Sequence, residues 1–99
     1  MKFDLEERLI EYAVLILNVA ESLPDDRGAI HLSSQLIRSG TAPALLYGEA
    51  QAAESRRDFI HKMKIALKEL RESFVTIKII SRKAYLKHGD EKLKSASGE

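Results

Sequence analysis

The stretch Ser55 to Arg82, SRRDFIHKMKIALKELRESFVTIKIISR, contains neither Gly nor Pro and keeps one periodicity from end to end. Phe59, Ile60, Met63, Ala66, Leu67, Leu70, Phe74, Ile77 and Ile80 recur at steps of three and four, which sets them along one side of a 3.6-residue helix. Ser55 marks the start: its hydroxyl can accept from the backbone N–H three residues on, with Asp58 a short stand-in for the Glu of a capping box. Val75-Thr76-Ile77 and Ile79-Ile80 would suit a strand, but no turn chemistry separates them from the helical rhythm upstream, so the helix runs through. At about 1.5 Å per residue the rod spans on the order of 40 Å, and its apolar side needs partners along that whole length. The other side carries Arg57, His61, Lys64, Lys68, Arg71, Lys78 and Arg82, interrupted by Val75.

Working outward, His88-Gly89 reads as a helix stop, Asp90 to Lys94 as a stub with Leu93 its one apolar anchor, and the last five residues as a tail. Residues 84–99 are therefore turn, stub and tail. Upstream, a second helix over 29–53 places Ile30, Leu32, Leu36 and Ile37 inside and Gln35 and Arg38 outside or at an interface. Pro43 removes a backbone donor and crowds the carbonyl four residues earlier, which predicts a kinked but continuous element. The mostly small residues that follow predict close helix approach around Gly48 and Ala52. Glu49 lies among them, either as a half-buried, ion-paired carboxylate or as a solvated helix edge.

Leu23-Pro24-Asp25-Asp26-Arg27-Gly28 is a turn by composition, with Pro and Asp where one helix ends and the next is capped. The first helix covers 4–22, with Asp4, Glu6 and Glu7 in the opening turn, where the helix dipole favours negative charge. Leu5, Leu9, Tyr12, Ala13, Ile16, Leu17 and Ala20 form its stripe, which Ile10, Val14 and Val19 widen beyond the reach of one partner helix. The whole is a single all-α domain over 1–99.

Composition agrees: 99 residues, 44% hydrophobic and 31% charged, make a folded chain with one core. With no Cys, disulfides, thiolate metal sites and cysteine nucleophiles are excluded. The acidic start and the short apolar runs give neither a signal peptide nor the roughly 20 apolar residues of a membrane span, so the cytoplasm is the expected location. The net charge of +1 hides an asymmetry. Residues 1–54 hold 4 Lys/Arg against 9 Asp/Glu, a balance of −5, and residues 55–99 hold 12 against 6, a balance of +6. The halves can neutralise each other, within a subunit or between subunits.

The linked motifs Gln35-Leu36-Ile37-Arg38-Ser39-Gly40-Thr41, Pro43 to Gln51, Ala53 to Lys62 and Ala66 to Ser73 resemble the four-helix-bundle proteins related to those encoded in intervening sequences of bacterial 23S ribosomal RNA genes. The resemblance is close over 29–82 and looser in the first helix. It implies an antiparallel up-and-down bundle and a homopentameric ring. More distantly it implies kinship with accessory proteins of diversity-generating retroelements, which use such a ring to bind nucleic acid and a reverse transcriptase. Most members have no assigned activity. Two departures stand out: Leu46 replaces an Asn of the Pro-Ala-Leu-Asn-Tyr-Gly-Glu pattern, and the fourth helix is short or missing. Three helices with wide apolar faces leave a groove for a neighbouring subunit to cover, which predicts obligate oligomerisation. The candidate interface residues are Ile10, Val14, Phe74, Ile77 and Ile80.

Chemical signals are sparse. Asp58-x-x-His61 matches one carboxylate–histidine pair of a di-iron bundle, but such sites need two pairs and two further carboxylates. No Ser has a His or Lys at a catalytic spacing, and no Gly-rich phosphate loop occurs. No enzyme activity, metal, cofactor, small-molecule substrate or membrane association is expected. The leading expectation is a protein-interaction or scaffold module. The alternative is RNA or DNA binding through Arg57, Lys64, Lys68, Arg71, Lys78 and Arg82, multiplied by assembly into a ring that gathers phosphates. Against the alternative, Glu72 is spaced to pair with Lys68, Glu69 flanks the face, and no aromatics interleave to stack bases.

Overall fold

A computed structural model describes residues 4–83, which form three α-helices with no strand among them: α1 (Leu5–Glu21), α2 (Arg27–Gln51) and α3 (Arg56–Lys83). The all-α reading holds. The turn, stub helix and tail predicted over 84–99 lie outside the described residues. Each boundary has a local cause. At the end of α1 the Ser22 backbone N–H donates to Val19 O at 3.1 Å and its hydroxyl to the same oxygen at 2.7 Å, closing the last turn before Pro24. Asp26 then caps α2, its Oδ1 accepting from Ala29 N at 2.9 Å. That cap starts α2 two residues earlier than the apolar rhythm predicts. The helix also ends two residues earlier, where Ala52 N and Ala53 N donate to the carbonyls three residues back. Ser55 Oγ accepts from Asp58 N at 3.0 Å, the predicted cap of α3, while the Asp58 carboxylate turns to Lys62 at 4.0 Å.

Pro43 lies inside α2, which is one unbroken helix. Around it, Ser39 Oγ donates to Gln35 O at 2.9 Å and Thr41 Oγ1 to Ile37 O at 2.7 Å, bonds that hold polar side chains against their own helix. Ser39, Gly40 and Pro43 are all buried, so this unusual segment is packed rather than solvated.

The core joins Ile16, Val19 and Ala20 of α1 to Leu36 of α2 and to Ile77 and Ile80 of α3. Helix α2 packs along both of the others. It comes close to α1 at Gly40, where an added Cβ would sit 2.5 Å from Cγ2 of Ile16 and 2.9 Å from its Cβ. This corrects the expectation placed on Gly48 and Ala52: space is open around Gly48, and Ala52 is exposed. Gly40 is a glycine because the Ile16 side chain occupies the volume a methyl would need. Helices α1 and α3 meet through Tyr12. Its ring stands edge-on to Phe74, centroids 5.8 Å apart at 88°, and its hydroxyl lies 2.7 Å from Ser73 Oγ. Ser73 gives its one hydroxyl proton to Leu70 O at 2.6 Å, so Tyr12 is the donor to Ser73. Burial raises the Tyr12 phenol above its ordinary range, partly countered by the bond to Ser73.

Candidate interaction surface

Packing against α2 and α1 turns Ala66, Ser73, Thr76, Ile77 and Ile80 of α3 inward. At 100° per residue, the side directed away from that core carries Arg57, Lys64, Lys68, Arg71, Lys78 and Arg82, and all six are exposed. The predicted basic stripe therefore lies on a solvent-facing side. It is more apolar than the sequence reading allowed. Leu67, 56% exposed, Val75, 52% exposed, and Ile79 interleave with the cations. Lys64, Leu67, Lys68, Arg71, Glu72 and Val75 line one shallow groove.

Carboxylates near this groove are engaged elsewhere. The Arg38 guanidinium reaches from α2 to α3, donating from Nη1 to Glu69 Oε1 at 2.6 Å and from Nη2 to Glu72, with Gln35 Oε1 also accepting from Nη2 at 3.3 Å. Its pKa is raised, first by the hydrogen bond and charge of Glu69 and then by Glu72. Glu72 is thus a partner of Arg38, not of Lys68 as its spacing suggested. Sequence reasoning left Arg38 uncommitted; its chance to find two carboxylates three residues apart on the next helix is a tertiary fact. Glu49 resolves to an exposed side chain that still finds a cation, Lys62 Nζ at 3.4 Å.

The candidate interface residues divide. Ile10, Val14 and Phe74 are exposed, whereas Ile77 and Ile80 are wholly buried in the subunit's own core. The last two are corrected: they hold α3 to α1 and α2, and leave no surface to a partner. On α1, exposed Glu7 and Glu11 flank Ile10 and Val14, making an acidic and apolar outer face. His61 is exposed, and among the described residues no three His, Asp or Glu side chains converge as metal ligands. Among them, too, no helix is long and apolar enough to cross a membrane.

The profile of the 23S rRNA-intervening sequence protein family matches residues 1–98. The chain belongs to this family. Among solved structures, a crystal structure of a protein of unknown function from the S23 ribosomal protein family of Bacteroides thetaiotaomicron VPI-5482 is similar to it at 33% identity. The match covers 94% of this chain and 84% of that one, with a TM-score of 0.83. No curated protein matches the chain. In this 23S rRNA-intervening sequence protein Leu46 is half-buried on α2.

Proposed function

We propose that the chain is a non-enzymatic, self-associating helical module: an up-and-down antiparallel bundle that forms a homo-oligomer, five-membered by resemblance, and serves in the cytoplasm as a scaffold for protein contacts. The antiparallel course is supported by the order of the ion pairs. Arg38 meets Glu69 and Glu72, while Glu49, nearer the end of α2, meets Lys62, nearer the start of α3. The observation that carries self-association is the grouping of exposed apolar side chains. Ile10 and Val14 lie one turn apart on α1, and Leu67 and Val75 lie on one side of α3. Scattered exposed apolar residues are ordinary, but a run on one helix face leaves transfer free energy of about 25 cal/mol per Å² to be gained by covering it. The non-enzymatic part rests on the sequence, which offers no nucleophile beside a base. Ile10→Ser combined with Val14→Ser is expected to shift the protein to smaller species on size exclusion with helical circular dichroism unchanged. A double variant that elutes with the wild type would count against the reading.

A second reading has its own observation: Arg38 draws Glu69 and Glu72 towards α2, which leaves Lys64, Lys68 and Arg71 facing solvent without a carboxylate partner among the described residues. Such a groove suits phosphate. On this reading a labelled RNA duplex binds with a steep salt dependence. Lys64→Glu with Lys68→Glu then abolishes binding while the melting temperature stays unchanged.

A further inference from the structure

The outer faces of α1 and α3 are complementary. Along the solvent side of α1, Glu7, Ile10, Glu11 and Val14 present two carboxylates around two apolar side chains, one of them, Val14, 52% exposed. Along the solvent side of α3, Lys64, Lys68 and Arg71 surround Leu67 and Val75. Neither Glu7 nor Glu11, and none of the three cations, has an ion-pair partner among the described residues. The acidic face of α1 and the basic face of α3 thus do not neutralise each other within the subunit among the described residues. Where charges do pair between helices, Arg38 and Lys62 are used, and both lie outside this set.

We infer that the outer face of α1 docks on the outer face of α3 of a second copy of this chain. The inference rests on the self-association reading and names its contact. Ile10 and Val14 enter the groove beside Leu67 and Val75, and Glu7 and Glu11 meet Lys64, Lys68 and Arg71. The contact takes about 10 Å of α1, from Glu7 to Val14, and lies within the roughly 17 Å of α3 from Lys64 to Val75. The apolar centre supplies the burial, while the charges set orientation and register and disfavour α1 on α1 or α3 on α3. Because one face contacts a different face, each added copy leaves a free α1 face and a free α3 face until the chain of contacts closes. The basic groove is covered in the assembly, so a polyanion competes with self-association for it.

The test uses the full chain in three forms: Lys64→Glu with Lys68→Glu and Arg71→Glu, Glu7→Lys with Glu11→Lys, and all five together. Sedimentation equilibrium reads the assembly and circular dichroism the fold. Each single set is expected to weaken self-association about tenfold or more, and the five-fold variant to restore it by exchanging the two signs. In the wild type, assembly weakens as salt rises. A wild type that never associates overturns the self-association reading and this contact with it. A wild type that associates while both single sets behave like it overturns this contact alone. Loss of thermal stability with assembly intact would mean the face is covered from within the chain, and likewise overturns it.

Discussion

Replacing Gly40 by Ala would place a methyl carbon 2.5 Å from Cγ2 of Ile16, a distance that forces α1 and α2 apart or drives Ile16 off its rotamer. Overpacking of this kind costs about 1–3 kcal/mol, so urea unfolding of Gly40→Ala is expected to show a lower midpoint. The same change at Gly48, which meets open space, is expected to be neutral or slightly stabilising because helical Gly is unfavourable relative to Ala. Composition alone does not separate these two glycines. Position does: Ala29, Leu36, Pro43 and Ala50 are buried at seven-residue intervals, and Gly40 falls on their side of α2 while Gly48 does not. The signal was in the sequence, but the small residues after Pro43 outweighed it. Tyr12 gives a pH-dependent prediction. Burial raises its phenol above 10.0, so the folded state holds the proton more tightly than the unfolded state. That contribution is complete below about pH 10 and is lost as pH rises through the folded value. Tyr12→Phe is therefore expected to flatten the fall in unfolding midpoint above about pH 10, and an unchanged slope would remove Tyr12 as its source.

At the scale of elements, the extent of α3 was legible because its period, its Ser55 cap and the absence of Gly and Pro all agree. Its buried side was legible only in part, since Phe59, Ile60, Leu67 and Phe74 of the expected apolar stripe are exposed. Helix α2 was harder. Its continuity through Pro43 was expected, but its start depends on the bond that the Asp26 side chain accepts from Ala29 N, which the apolar rhythm does not report. The pairing of α2 with α3 is fixed at the surface by Arg38, and this was not legible because both carboxylates lie more than 30 residues away in sequence. Arg38→Gln is expected to lower the melting temperature, with the loss shrinking in high salt. A double-mutant cycle of Arg38→Gln with Glu69→Gln should show positive coupling. Additive effects would mean that the fork positions the side chains without holding the helices.

Over the whole molecule, period and capping predict where the helices run but only part of what faces inward: Ile30 and Ile37, expected inside α2, are exposed. Ile77 and Ile80 illustrate the limit: their spacing marks them as apolar-face residues, and only the placement of Ile16, Val19 and Leu36 makes them core. Ile10, Val14 and Leu67 belong to the same kind of pattern and stay exposed, as does Val75 on the basic side, because the three helices among the described residues do not surround them. That contrast is the ground for reading the chain as a subunit. The most direct test is the mass of the unmodified protein by sedimentation equilibrium at micromolar concentration and low salt. The account predicts a discrete multiple of the 11.1 kDa chain, and a monodisperse 11.1 kDa species would contradict it.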